Sequence, residues 1–346
     1  MDEGVGVAES QECWQEDAEV KVLINEQVNK EEWNKFVQEN PRGNIFQTYE
    51  FYEIYTKTKR TEPLLMAIVD KDGNITVGLL AYIQHQTLKS LKTLTSRAII
   101  HGGPIFIDKN ALNMLMKHYD ELVKKKALFT QIRNIYDVSE IKQILENCGY
   151  TYEPHLNFLI NLKQSENELW YKISKSKRKC INRVINDVPV TLVKDLSNVY
   201  PLLKETYKQV GLPLIDESHF IAAKEILAKN LRIYLAKFKD KVIGCRLILL
   251  YNDYAYDWYA GASTKNLDLY TNDVIVWSIL KDIREKYSIF DFGGAGHPDK
   301  PYGVREFKRR FGGDLVNFGR YERVYRPKSL KIVKQGYDLY KRYKRK

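Results

Sequence analysis

The densest chemistry in the chain lies at residues 291–313, which read Asp291-Phe-Gly-Gly-Ala-Gly-His297-Pro-Asp299-Lys-Pro-Tyr302-Gly-Val-Arg305-Glu-Phe307-Lys308-Arg-Arg-Phe-Gly312-Gly313. An apolar strand runs into Gly293, Gly294 and Gly296, which have no Cβ and let backbone come close to a ligand. His297 and Asp299 follow, and four of the six residues from Arg305 to Arg310 are basic. Such a set can hold a ligand at close range and meet negative charge on it. Ligands of α/β folds gather at the carboxyl ends of strands, where this loop falls. Glycines that only make turns, beside a solvated basic face, are the alternative. The coincidence of glycines, histidine, tyrosine and packed cations favours a functional loop.

The elements that must position this loop occur twice. Leu64–Val69 and Ile75–Gln84 are apolar strands around Asp70-Lys71-Asp72-Gly73, a strong hairpin turn. Ile233–Phe238 and Val242–Tyr251 flank Lys239-Asp240-Lys241 in the same manner. After each hairpin comes an extended stretch (Arg97–Ile100; Tyr254–Ala260), then a helix (Asn110–Lys126; Leu269–Tyr287), then a short strand (Phe129–Arg133; Ile289–Phe292). Gly78 and Gly244 are matched positions. Between the copies the spacing predicts helices over Glu166–Asp187, Asn198–Val210 and Glu217–Lys229. The expected fold is α+β: two tandem units with mixed sheets flanked by helices, and no long coiled-coil arm. The expected divisions are an acidic disordered tail over 1–19, units over 20–162 and 163–325, and a basic helix over 326–346.

Composition and missing motifs narrow the function. With 44% hydrophobic and 29% charged residues, the 346-residue chain is an ordinary globular protein of about two domains. No apolar run approaches a membrane span, and the four cysteines are scattered, which points to the cytoplasm. Residues 1–19 hold seven acids and no Lys or Arg, so the rest of the chain carries +18. The segment from Arg326 to Lys346 has nine basic residues against Asp338. Such charge attracts polyanions or anionic surfaces, including the surface of an anionic membrane. Within that segment Leu330, Val333, Tyr337 and Tyr340 form one stripe, better suited to docking on the protein body. Phosphate-binding loops, dinucleotide fingerprints, nucleophile elbows and metal-ligand spacings are all missing. No metal is expected.

The same block carries a family resemblance. A strand ending Asp291-Phe-Gly-Gly, followed by a Gly303-x-x-x-Phe307-Lys308-x-x-Phe311-Gly312 run, resembles the Fem-type peptidyltransferases of the GNAT-like acyltransferases. Phe46-Gln47-Thr48-x-Glu50-Phe51, Arg97 with Gly102-Gly103-Pro104, and Ser176-Lys-Arg178-Lys-x-Ile-Asn-Arg183 are similar to other parts of that family. The resemblance spans roughly residues 40–325 and implies two tandem GNAT-like domains.

It also implies a reaction: transfer of an acyl group, typically from aminoacyl-tRNA, to an amine on a phosphorylated or lipid-linked precursor of the cell wall or cell surface. Lys308, beside Phe307, would stabilise the oxyanion. Arg178 would contact phosphate, and Lys57, Arg97, Gly293, Gly294, His297, Tyr302 and Arg305 would line the substrate site. Asp108, His297 and Asp299 are candidate proton acceptors. Three features depart from the family. Tyr55 aligns where a diphosphate-gripping lysine often stands, with Lys57 nearest. The inserted helical pair of tRNA-reading members is missing. So is the Arg/Gln-x-x-Gly-x-Gly/Ala loop of acetyl-CoA enzymes, to which Arg309-x-x-Gly312-Gly313 is closest. No cofactor is expected. The alternatives are an acyl-CoA-dependent N-acyltransferase acting on an amino sugar or polysaccharide, and a non-catalytic polyanion-binding protein.

Overall fold

Both hairpins form, and each belongs to its own sheet. The structure, a computed structural model, describes residues 21–85, 96–333 and 335. The acidic segment 1–19 lies outside them, as does most of the basic C-terminal segment, of which 327–333 are helical. Thr61–Val69 and Ile75–Gln84 pair around a turn in which Asp70 Oδ1 accepts the amides of Asp72 and Asn74, each at 2.9 Å. Leu231–Phe238 and Lys241–Tyr251 pair around Lys239 and Asp240, both at positive φ, the conformation that a two-residue hairpin of matching twist requires.

Beyond each hairpin the order repeats as expected. Arg97–His101 leads to helix Lys109–Val123 and then to Phe129–Arg133, which returns parallel to it. Tyr254–Ala262 leads to helix Thr271–Ile283 and then to Ile289–Gly296, again parallel. The helix expected over Glu166–Asp187 is two, Glu166–Lys172 and Lys175–Val184. The break falls at Ile173 and Ser174, both extended, and the Ser174 amide donates to the Arg310 carbonyl at 2.8 Å. A contact from the far end of the chain therefore ends a helix that local propensity would continue.

Edge to edge, the first sheet runs Lys21–Ile24, Thr61–Val69, Ile75–Gln84, Arg97–His101, Phe129–Arg133, Arg320–Val324 and Thr151–Glu153. Ile105–Phe106 also pairs with Ile75–Gln84. The second sheet runs Asp314–Asn317, Leu156–Asn161, Ile289–Gly296, Tyr254–Ala262, Lys241–Tyr251, Leu231–Phe238 and Val190–Val193.

Sequence order and sheet membership part at two strands. Leu156–Asn161 inserts between Ile289–Gly296 and Asp314–Asn317 of the second sheet. In return Arg320–Val324 inserts between Phe129–Arg133 and Thr151–Glu153 of the first. The two crossovers touch: the Gly319 amide donates to the His155 carbonyl at 3.2 Å, and the His155 amide to Asn317 Oδ1 at 2.9 Å. Gly319 has φ +68°, and a Cβ there would stand 2.1 Å from Tyr152 Cε2. Glycine alone fits that crossing.

One face of the first sheet packs Ala98, Ile100, Ile132 and Tyr321 on helix Lys109–Val123, in a core with Leu112, Met116 and Tyr119. Strand side chains alternate, so Arg97, Gln131, Arg133 and Arg320 take the opposite face. That face looks toward the second half, since Tyr259 feels the charges of Arg133 and Arg97. A shared apolar cluster joins the halves, with Phe46, Phe51 and Tyr55 packed with Leu227, Leu249 and Tyr256.

Candidate functional site

Lys308 lies on helix Gly303–Arg309 with only 7% of its surface exposed. Its Nζ donates to the carbonyls of Phe292 and, at 3.0 Å, of Gly294. Both carbonyls lie where strand Ile289–Gly296 bulges, its register against Leu156–Asn161 jumping between Asp291 and Gly294. Gly293, at φ +74°, permits the bulge. An ammonium has three donors, and two meet backbone here. The third has no hydrogen-bond partner among the described residues.

The surroundings of Lys308 are charged and dry. Burial pushes its ammonium down to about 8; Asp257 and Asp291 pull it up, while Arg246 pushes it further down. Asp291 accepts the Gly293 amide at 2.7 Å, and burial raises its carboxyl to about 6. Asp257, also raised by burial, stands with Oδ1 3.1 Å from Arg246 Nε, both side chains nearly enclosed. That contact lacks hydrogen-bond geometry, and Arg246 Nη1 has no hydrogen-bond partner among the described residues. The Phe292 ring lies between the cations, its centroid 5.2 Å from Lys308 Nζ and 5.5 Å from Arg246 Cζ. Two cations and two carboxylates thus share one interior. Such a cluster is costly to bury and marks a site that works on charge.

Of these four groups, sequence reasoning named only Lys308 in a role. The signal for Arg246 was available: a guanidinium inside the apolar run Ile243-Gly-Cys-Arg-Leu-Ile, where arginine is almost never buried unless paired. Asp257 had no comparable signal, since only the pairing of its strand with Lys241–Tyr251 brings it to Arg246.

Phe307 is half-buried, 5.2 Å from the Phe311 ring, with Lys177 Nζ 4.2 Å from its own centroid. Lys177 also pairs with Asp273. Helix Lys175–Val184 therefore brings Lys177 to this block, while its neighbour Arg178 turns to the Tyr171 ring, 5.0 Å away. Lys177, Ser263, Thr271, Asn272, Asp273 and Phe307 line an open cleft of about 170 Å³ at the start of helix Thr271–Ile283.

The remaining expected site residues divide. Gly294 abuts His155, whose Nε2 would stand 2.9 Å from an added Cβ. Tyr302 covers Gly296. Arg305 holds the loop: its Nε donates to the Ala295 carbonyl at 2.8 Å and its Nη1 to that of Pro298 at 3.0 Å. His297 Nδ1 accepts the Asp299 amide at 3.2 Å, and the Asp299 carboxylate is 85% exposed. Arg97 donates Nε and Nη2 to Gln84 on the first sheet. Elsewhere, Asp108 caps helix Lys109–Val123 by accepting the Asn110 amide at 2.8 Å. Lys57 sits at the surface, 3.5 Å from Glu225. The structure gathers Phe307, Lys308 and the glycine loop, and engages Lys57, Asp108 and Arg178 in other contacts.

This geometry defines a class. Residues 196–309 match the sequence model of the family described as "Acetyltransferase (GNAT) domain". No curated protein matches the chain. Among solved structures it is similar to FemX, with a TM-score of 0.67 at 16% identity over 88% of this chain and 98% of that one. It is similar to the tandem GNAT protein from the clavulanic acid biosynthesis pathway, with a TM-score of 0.60 at 8% identity over 89% and 99%. It is also similar to L-PGS from Bacillus licheniformis, with a TM-score of 0.54 at 13% identity over 88% and 94%. At these identities the likeness is one of fold: the Fem-type arrangement of two GNAT-like units. Together with the matched domain it marks the chain as an acyltransferase. Among the described residues no helix is long and apolar enough to cross a membrane.

Proposed function

We propose that the protein transfers an aminoacyl group from aminoacyl-tRNA to an amine on a phosphorylated or lipid-linked cell-wall or cell-surface precursor, of the kind from which peptidoglycan bridges are built. The observation that carries this reading is the buried Lys308 ammonium, anchored on two backbone carbonyls with no partner for its third N–H among the described residues. The acceptor amine attacks the ester carbonyl, a C–N bond forms, and the carbonyl oxygen becomes an oxyanion. On collapse the ester C–O bond breaks, and the ribose oxygen leaves with the proton that the amine gives up. Lys308, supported by Arg246, meets the charge at the oxyanion stage. A cation held ready in a dry site lowers such a barrier by several kcal/mol. The +18 carried by the chain beyond its acidic head suits a tRNA donor.

The cleft before helix Thr271–Ile283 favours a second reading, transfer from acyl-CoA to an amino sugar. Against it, residues 263–270 contain no glycine, and the Asp273 carboxylate occupies the first turn of the helix, where a pyrophosphate would seek bare amides. The cleft, at about 170 Å³, is also below the roughly 300 Å³ of an ordinary ligand pocket.

A transfer assay separates the two. Labelled aminoacyl-tRNA and labelled acetyl-CoA are each offered with muramyl-peptide and amino-sugar acceptors. Label moving from tRNA, and lost in Lys308→Ala, is the expected result. Label moving from acetyl-CoA alone would replace the donor, and transfer from neither would overturn the reading.

A further inference from the structure

We infer that the polar face of the first sheet, where it faces the second half, is a second binding subsite in which Arg97, Arg133 and Arg320 hold an anionic group of the acceptor. This rests on the transferase reading and adds to it where the acceptor is gripped and what it must carry. Arg133 and Arg320 are direct partners in the antiparallel ladder, an arrangement in which like charges repel. Arg97 shares their face on Arg97–His101, beside the strand that bears Arg133. Among the described residues none of the three forms an ion pair. Glu153, across the ladder on the other side of Arg320, is exposed and stands beyond ion-pair distance.

Neutral acceptors hold the three guanidinium groups instead. Arg97 donates to Gln84 Oε1 at 2.9 and 3.1 Å, and Arg133 to Gln131 Oε1 at 2.9 Å. Arg320 Nη2 lies 2.9 Å from His155 Nε2. An arginine donates there only to the lone pair of a neutral imidazole. Burial and the nearby cations push His155 down to about 3, which keeps it neutral. Each guanidinium has five donors, so most of them remain available and already oriented. Half-buried cations oriented by amides and an imidazole suit an anion with several oxygens.

The seat is adjacent to the chemistry. His155 Nε2 meets Arg320 Nη2 at 2.9 Å and also lies against Gly294, whose carbonyl holds Lys308. One imidazole nitrogen therefore joins the anion seat to the loop that anchors the oxyanion donor. An acceptor fits both if its phosphate or carboxylate lies a short chain from its reacting amine. The strand exchange builds this link, since His155 and Arg320 flank the two crossovers.

Titration calorimetry on the full chain tests the inference without turnover, with inorganic pyrophosphate as the phosphate probe and tricarballylate as the carboxylate probe. Saturable one-to-one binding of at least one probe is expected, and the tighter one identifies the anion. Arg133→Gln and Arg320→Gln should each weaken it about tenfold or more. Arg133→Lys and Arg320→Lys keep the charge and lose the fork; they should fall between, and they replace the Gln variants if those fail to fold. Absence of saturable binding at low salt, or binding indifferent to both arginines, would overturn the subsite. Transfer without anion binding sinks the subsite alone, and anion binding without transfer sinks the transferase reading alone.

Discussion

Phe129–Arg133 and Ile289–Gly296 hold the same place in their two sheets, each returning from a helix parallel to the strand before it, yet they end differently. The first ends in Arg133, on a face that gathers cations. The second bulges at Gly293 and Gly294 before ending at Gly296, and the bulge seats a lysine from the following helix. One unit of the repeat thus presents charge on a regular sheet face; the other breaks its ladder to turn backbone carbonyls inward. Duplicating a fold copies its frame, and the strand ends remain open to separate uses. Gly78 and Gly244 belong to the shared frame: a Cβ would meet Trp33 at 2.4 Å in one half and Thr271 at 2.4 Å in the other.

The division of labour breaks first at Lys308. Lys308→Ala should lower kcat by about 10²–10³, the value of one preorganised oxyanion donor; turnover near wild type would move the chemistry out of the second half. The strand exchange breaks at Gly319. Gly319→Ala adds a Cβ against Tyr152 at positive φ and should destabilise by roughly 2–4 kcal/mol in urea unfolding. A loss below about 0.5 kcal/mol would mean that the crossing tolerates any residue.

A pH profile sharpens the contrast further. Lys308 titrates near 8, and its charged form is the one below that value. Transfer should therefore decline above pH 8, by about tenfold per unit once the ammonium is the minor form. The limb should move beyond the measurable range in Lys308→Arg; a limb that stays near 8 in that variant belongs to another group. The smallest effect is expected at Lys57, whose pair with Glu225 is more than half exposed. Lys57→Ala should change stability by less than about 0.5 kcal/mol and leave KM for the acceptor unchanged. A large rise in KM would bring acceptor contacts out to the first half's early helix.

Much of the frame was legible because its signals are local. The Asp70–Gly73 and Lys239–Lys241 turns and the alternation on both sides of them all lie within a few residues, and the structure reproduces each. The Phe307-Lys308 block was legible because glycines and cations crowd together. Arg133 and Arg320 were not: in sequence they lie in short strands almost two hundred residues apart, and a register decides that they face each other.

The sequence by itself determined two hairpin–strand–helix–strand units and the position of a reactive lysine, since turn chemistry and periodicity act over short range. The tertiary structure alone decided which sheet receives Leu156–Asn161 and Arg320–Val324. It alone placed Arg246, Asp257 and Asp291 around Lys308, and His155 against both Arg320 and Gly294. Strand pairing across distant segments is chosen by the burial of whole faces, and no local run of residues records that choice.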